Sequence, residues 1–375
     1  MRHQMDYDLV VVGAGFAGLV AAATAGARGL RVAVLEAKEE PGSRVHTTGI
    51  LVKEAAEELD FPQHLTRKVR GARLYAPNLK HVDLFAPGYY FLATDTSALL
   101  NWLARRAEVS GARIFTRTPL RACRVRDGRV EIEPVGISAR FVLGADGARS
   151  SVARALGLGV NRHFLTGLEA EFPAQTENLG DVLHCFLNSR LAPGYLGWAV
   201  PGVGIWQVGL AVQQGRKPAL RDFLLKVSDV LQLDMTIPSE RRGGLIPCGG
   251  LVRPFANRHA LLVGDAAGLV SPLTGGGIHC ALHFGRRAGL AICDYLCDAG
   301  PHPGVAMAWQ YPSFTFKRML RLGMNANPPA VLYNAALNNP AFLAFARWVY
   351  FRRRGTAPEM LPEMESRTHG LFASL

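Results

Sequence analysis

Tyr7 to Glu36 reads YDLVVVGAGFAGLVAAATAGARGLRVAVLE. Its first six residues are apolar and largely β-branched, the pattern of a short strand buried on both faces of a parallel sheet. Gly13-Ala14-Gly15-Phe16-Ala17-Gly18 follows at once as G-x-G-x-x-G. Leu19 to Arg28 is rich in alanine and stops at Gly29, a natural helix end. Arg31 to Leu35 is a second strand, closed by Glu36. Each part has a physical task. Gly13 permits a tight turn, Gly15 lets the backbone approach a pyrophosphate, and Gly18 lets the helix pack close to the strand. The helix start offers N–H groups and the positive end of a dipole to phosphates. Glu36 can accept two hydrogen bonds from a ribose diol, and its charge disfavours a 2′-phosphate. A lone G-x-G-x-x-G is a weak signal; strand, glycines, helix, strand and acid in this order specify a dinucleotide-binding unit.

Two later stretches bear on which dinucleotide. Val142 to Ser151 is VLGADGARSS, and His259 to Ile278 is HALLVGDAAGLVSPLTGGGI. They resemble the "DG" and "GD" motifs of the flavoprotein hydroxylase superfamily, and they follow the opening motif in that superfamily's order. Within it, GDAAGLVSPLTGGGIHCALHFGRRAG resembles the geranylgeranyl reductase family of FAD-dependent oxidoreductases. Pro193 to Pro201, PGYLGWAVP, is similar to that family's YxWxFP substrate-pocket motif, with one extra residue between Tyr195 and Trp198 and Val200 in place of an aromatic. The resemblance runs from about Tyr7 to about Leu296.

The resemblance implies FAD held by Gly13, Gly15, Phe16, Ala17, Gly18, Glu36, Ala37, Arg44, Leu120, Asp146, Gly147, Gly264, Asp265, Pro272, Gly275, Gly276, Gly277 and Ile278. Asp146 and Gly147 are expected near the pyrophosphate, and Asp265 on the ribityl chain or a phosphate-linked water. The glycines at 275–277 are expected to open a helix facing the pyrimidine edge of the flavin. A helix start there would stabilise a reduced, anionic flavin. Trp198 and Pro201 are expected to line the substrate cavity. The family often carries a cysteine in a CGxG segment, where this chain has Arg44-Val45-His46-Thr47-Thr48-Gly49-Ile50. Thr96 stands where relatives usually place an arginine.

The implied architecture is α/β. A Rossmann-type FAD domain with a parallel sheet carries an inserted α+β substrate domain on an antiparallel sheet, and the C-terminus is helical. The expected FAD domain is discontinuous, over 1–52, 91–158 and 251–300. The substrate domain takes 53–90 and 159–250, and the helical region 301–375. Asp127-Gly128 marks a hairpin turn within Arg121 to Ile132.

Net charge is +12 over 375 residues, which favours anionic partners. No nucleic-acid module is recognisable, so nucleic acid is not expected. The six cysteines form no CxxC pair and no zinc spacing, so no metal site is expected, and unpaired thiols suit a reducing cytoplasm. No apolar run reaches the roughly 18 residues of a membrane span. Ala341 to Arg354, AFLAFARWVYFRRR, is apolar with a basic end, a pattern that suits the inner face of an anionic membrane or docking on the core.

The leading expectation is reduction of carbon–carbon double bonds in a prenyl or similar apolar lipid by hydride from reduced flavin N5. Electrons would come from NAD(P)H or from an electron-donor protein such as reduced ferredoxin, since there is no second G-x-G-x-x-G. His46, Thr48, Tyr195 and His279 are candidates for the proton donor. An FAD-dependent aromatic or polyketide monooxygenase is the alternative, and a flavin-holding protein without redox turnover is a second.

Overall fold

Met5–Val12 lies at the centre of a sheet because it can pair on both edges, and Leu9, Val10 and Val11 are fully buried between two layers. In this computed structural model, which describes residues 5–133, 136–175 and 180–351, Val32–Leu35 pairs with it in parallel on one side and Ile137–Gly144 on the other. Arg113–Phe115 and Ala260–Leu262 extend the parallel run outward. The register aligns the strand ends. Val12 stands beside Leu35 and Gly144, Leu35 beside Phe115, and Gly144 beside Leu262. Every loop that leaves these strands therefore leaves from one edge of the sheet, where ligands bind in open α/β folds.

Antiparallel strands complete the eight-stranded sheet. Arg129–Glu133 pairs with Ile137–Gly144, Ala122–Arg126 pairs with Arg129–Glu133, and Ala256–Asn257 covers Ala260–Leu262. Asp127 and Gly128 form the tight turn between two of them, both at positive φ (48° and 74°). The helix Phe16–Ala27 buries ten of its twelve residues. It packs closely on the helix Ile278–Leu296: a Cβ on Gly285 would stand 2.6 Å from the Ala17 carbonyl oxygen, and one on Gly289 would stand 2.8 Å from that of Ala21.

The chain divides into two compact units. The first takes 1–45, 96–165 and 245–321; the second takes 46–95, 166–244 and 322–375. The region after residue 301 is thus shared between them. The second unit holds most of a seven-stranded sheet, in the order Glu240–Pro247, Phe164–Pro173, Ile205–Gln213, Gly197–Pro201, Val182–Phe186, Gly71–Tyr75 and His81–Phe85. Gly197–Pro201 runs antiparallel to both Ile205–Gln213 and Val182–Phe186, and Gly71–Tyr75 antiparallel to His81–Phe85, whereas Val182–Phe186 runs parallel to Gly71–Tyr75. One face is apolar. Phe172, Phe186, Val208, Leu210 and Val212 on that face meet Phe223 and Val227 of the helix Leu220–Leu231. A smaller sheet joins Ile50–Val52, Phe91–Thr94 and Thr66–Val69.

The helix Pro340–Phe351 covers most of the stretch read as an amphipathic segment. Its aromatic end packs inward. Tyr350 donates its hydroxyl to Cys185 Sγ at 3.2 Å, and the Phe351 ring lies 5.4 Å from that of Tyr89. Arg352 to Arg354 lie outside the described residues. Among the described residues no helix is long and apolar enough to cross a membrane.

Candidate functional site

The strand ends of the first unit bring most of the implied cofactor residues to one edge. Gly13 turns at φ 100°, and a Cβ on it would stand 2.4 Å from the Ala145 carbonyl oxygen, so the turn admits only glycine. Gly15 precedes the helix Phe16–Ala27, which has no side-chain N-cap. A Cβ on Gly15 would meet no protein atom within 4 Å. Its smallness serves nothing in the protein's own packing, which is what a ligand at that point requires. A Cβ on Gly18 would stand 2.0 Å from the Gly13 carbonyl oxygen, so this glycine serves the turn itself.

Glu36 is buried, and backbone N–H groups hold both its oxygens. Ala14 N donates to Oε2 at 2.8 Å and Lys38 N to Oε1 at 2.9 Å. Each oxygen keeps a lone pair for a further donor. Ala37 and Arg44 are exposed in the following segment, Arg44 with a left-handed φ of 45°, and Leu120 is half-buried before Ala122–Arg126. Thr96 is buried at the start of the helix Thr96–Val109, and its neighbours Ser97 and Asn101 fix Gly42 through its carbonyl and its N–H.

Asp146 holds the first N–H groups of the short helix Ser151–Ala155, whose N-cap is Ser150. Its Oδ2 accepts from Ser151 N at 2.6 Å and Val152 N at 3.1 Å. Burial raises its pKa against these hydrogen bonds, and Oδ1 is buried with no partner. Gly147 follows at φ 77°. Gly264 and Asp265 open a 3₁₀ turn to Ala267. Burial pushes the Asp265 carboxyl up to about 6. Pro272 is buried, Gly275 takes φ 63°, and Gly277 precedes the helix Ile278–Leu296, whose N-terminus has no side-chain cap. His279 lies half-buried in its first turn, with its ring 6.0 Å from that of His283.

These residues fit a dinucleotide. Two helix starts have no side-chain cap, Gly15 leaves open space, and Asp146 Oδ1 waits for a donor. Asn161, which the sequence did not single out, ties two of the loops together: its amide donates to the Ala148 carbonyl at 3.1 Å and the Asp265 carbonyl at 2.8 Å. Its only cue in the sequence is an asparagine a short way past the DG motif, which is too little to identify it.

The second unit gathers a different set on the polar face of its large sheet. Thr48 and Trp198 both bond to Glu169. Trp198 Nε1 donates to Glu169 Oε2 at 2.8 Å, and Thr48 Oγ1 meets the same oxygen. Pro201 is buried at the end of the Trp198 strand, and Tyr195 is buried just before it. His46 is exposed, its Nδ1 2.9 Å from the Gly243 carbonyl oxygen. Glu171, two residues past Glu169, pairs with Arg242 at 2.7 Å and accepts from Gln207 at 3.2 Å. Sequence reading missed Glu169, Glu171 and Arg242, because alternating glutamates on a strand ordinarily mark a solvated face.

Comparison with known proteins agrees with this arrangement. Residues 11–76 match the NAD(P)-binding Rossmann-like domain family. A digeranylgeranylglycerophospholipid reductase 2 of Methanopyrus kandleri is 33% identical over 314 residues, covering 76% of each chain. A digeranylgeranylglycerophospholipid reductase of Methanocaldococcus jannaschii is 30% identical over 77% of this chain and 78% of its own. A geranylgeranyl bacteriochlorophyll reductase-like protein of Thermoplasma acidophilum shares the fold, with a TM-score of 0.80 and 22% identity over 96% of this chain and 99% of its own. So does the p-nitrophenol 4-monooxygenase of Pseudomonas putida, with a TM-score of 0.64 and 18% identity over 99% and 94%. With a relative one-third identical across three-quarters of both chains and the glycine loops arranged for a dinucleotide, the chain belongs to the geranylgeranyl reductase family of FAD-dependent oxidoreductases.

Proposed function

We propose that this enzyme reduces carbon–carbon double bonds in a prenyl chain of geranylgeranyl type carried on a lipid. The observation that supports this most is its likeness, over 76% of its length, to relatives named for digeranylgeranylglycerophospholipid. The residues that would hold FAD are the Gly13–Gly18 turn, Glu36, Asp146, Asp265 and the Gly275–Ile278 helix start. Reduced FAD, when bound, supplies hydride to one alkene carbon.

The chain's own part is to bind, orient and keep out water. Uncapped N–H groups at Phe16–Ala27 and Ile278–Leu296 suit negative charge. Trp198 and Tyr195 would line the path of the apolar chain, whereas Pro201, three residues past Trp198 on the same strand, turns to the other face of the sheet. An unactivated alkene reacts slowly, so holding it close to the hydride source carries much of the rate. NAD(P)H or an acidic protein such as reduced ferredoxin would supply electrons, consistent with a net charge of +12.

A lipid substrate also makes contact with a membrane surface useful. The helix Thr315–Asn325 turns Phe316, Met319 and Leu322 outward, at 54%, 65% and 69% exposure, beside Lys317 and Arg318. From Ala299 to Met360 the only acidic residue is Glu359. An apolar stripe with basic neighbours suits an anionic bilayer.

The test is anaerobic. Protein reduced with dithionite is mixed with a geranylgeranyl lipid, and flavin absorbance is followed. Reoxidation with a product two hydrogens heavier supports the reading. Reoxidation by oxygen alone, with hydroxylation of an added aromatic, points to a monooxygenase instead.

A further inference from the structure

Three stretches of the first unit carry no acidic residue: 147–165, 245–264 and 299–321. They lie against one another. Asn257 Nδ2 donates to the Leu156 carbonyl at 2.8 Å, Gly159 N donates to the Pro254 carbonyl at 2.7 Å, and a Cβ on Gly304 would stand 2.8 Å from that of Ala256. An open cavity of about 700 Å³ lies among them, with Arg253, Arg258, His302, Val305 and Ala308 in its wall. The two arginines stand on fixed backbone. Asn257 Oδ1 accepts from His259 N at 3.0 Å and so closes the turn that carries Arg258. Gly159 packs on the Arg253 main chain, where a Cβ would stand 2.6 Å from the carbonyl oxygen. Both arginines are exposed, and neither forms an ion pair among the described residues.

Basic groups converge here. The His259 imidazole is held below the usual histidine range by burial, by Arg258 and by His302. His302 is fixed in place: its Nδ1 accepts from Gly304 N at 3.0 Å, and its ring makes T-shaped contacts with those of Tyr295 and Phe141 at 5.0 and 5.7 Å. Positive groups gathered without an acid repel one another, and an anion in the cavity relieves that repulsion. Arginine suits an anion with several oxygens, because its planar fork donates two parallel hydrogen bonds to phosphate. The rim is apolar. Val305 is exposed, and Trp309, one residue past Ala308, is 88% exposed. Arg318 lies against Gly250, its Cδ 3.1 Å from the place of a Cβ there, and joins this face to the outward residues Phe316 and Met319. A free anion in water gains nothing from such a rim. An anion at a bilayer surface does, because tryptophan settles at the headgroup level.

We infer that this cavity holds the phosphate of an anionic phospholipid headgroup, with Arg253 and Arg258 on its oxygens and Trp309 in the surrounding interfacial layer. This rests on the membrane contact proposed above for the helix Thr315–Asn325, and gives that contact a definite lipid site. Ala256–Asn257 is the edge strand of the eight-stranded sheet. A lipid held beside it sets the direction in which that sheet meets the bilayer.

Two measurements on the FAD-loaded protein test this. The first is co-sedimentation with vesicles rich in phosphatidylglycerol. Arg253→Gln combined with Arg258→Gln should weaken it by about tenfold or more. Arg105→Gln combined with Arg113→Gln removes the same charge towards the opposite edge of the sheet, where Arg113–Phe115 is the last strand. That pair should change binding by less than about twofold, its charges being screened from the bilayer. All four arginines are exposed, and melting curves check that both variants fold. Equal losses in the two variants would mean general attraction of a basic protein without a headgroup site. Sedimentation of the cavity variant at the wild-type level overturns the proposal. The second measurement follows the His259 imidazole by proton NMR, assigned from its loss in His259→Gln. Glycerophosphoglycerol, the headgroup freed of its chains, should raise the pH at which His259 titrates, and should not move it in the cavity variant. Inorganic phosphate that binds more tightly than this headgroup would mark a site for free phosphate and overturn the lipid assignment. If wild-type protein does not sediment with the vesicles, the membrane reading fails, and the His259 shift alone decides whether the cavity takes a phosphodiester.

Discussion

Trp198 lies across Gly209. The two residues are paired on adjacent strands, and a Cβ on Gly209 would stand 2.6 Å from the indole ring and 2.8 Å from the Leu168 carbonyl oxygen. The missing side chain is what lets the indole span a whole strand and reach Glu169 on the far side. Glycine inside a strand usually weakens it, and here it makes room for a hydrogen bond. Gly209→Ala should push the ring off Glu169. The expected cost is about 1–3 kcal/mol of stability, the usual range for overpacking. Denaturant unfolding measures it, and the emission difference between this variant and Trp198→Phe should show the indole in a wetter environment. Stability equal to wild type would show that the ring can move without loss.

The two glycines of the opening motif should separate folding from binding. Gly18→Ala places a methyl 2.0 Å from a backbone oxygen, so the turn must shift, and both thermal stability and FAD affinity should fall. Gly15→Ala places its methyl in open space. The protein without flavin should melt as wild type does, while FAD binding weakens by about tenfold or more, that is 1.4 kcal/mol. Melting curves with and without FAD, together with a flavin fluorescence titration, distinguish the two. A Gly15→Ala protein that binds FAD normally would remove this turn from the cofactor site.

The outward stripe on Thr315–Asn325 makes a prediction about lipid. Replacing Phe316, Met319 and Leu322 together by serine removes mostly exposed apolar area, and a melting curve beside wild type checks that the fold holds. Fully burying one such side chain is worth about 1.5–3 kcal/mol, so even partial insertion of three should be visible. Co-sedimentation with vesicles rich in phosphatidylglycerol should fall tenfold or more relative to wild type. Binding should be weak to phosphatidylcholine and weakened by salt. Equal sedimentation of the triple variant would place any membrane contact elsewhere.

What could be read from the sequence was what is local. Tyr7 to Glu36 contains its own strand, turn, helix and strand, and the Asp127-Gly128 turn needs only its neighbours. The remainder depends on pairing between distant segments. Phe164–Pro173 looks like an ordinary half-exposed strand until Ile205–Gln213 and Gly197–Pro201 lie beside it and bring Trp198 to Glu169. In the sequence Thr48 reads as a candidate proton donor and Trp198 as a pocket wall, with nothing to join them. The acid that joins them carries no motif. The basic, aromatic stretch at 341–354 fitted both a membrane and a docked helix. Tyr350 on Cys185 and Phe351 against Tyr89 are contacts that periodicity cannot supply.

Asp265 should make stability depend on pH in the direction opposite to a salt-bridged acid. Burial raises its folded-state pKa to about 6, above the unfolded value of 3.8. Between those values the folded state binds more protons, so stability falls as pH rises. The contribution is fully present below about pH 4 and lost as pH passes about 6. At pH 7 the flavin-free protein therefore carries a charge that destabilises it, and Asp265→Asn should be more stable by about 1–3 kcal/mol. The advantage should shrink to nothing near pH 4. Urea unfolding of the flavin-free protein at both pH values measures it. A gain at pH 7 together with weaker FAD binding would mean that the acid is kept for its ligand at the expense of the fold. A loss of stability at pH 7 would mean that the carboxylate has a partner in the folded protein that outweighs its burial.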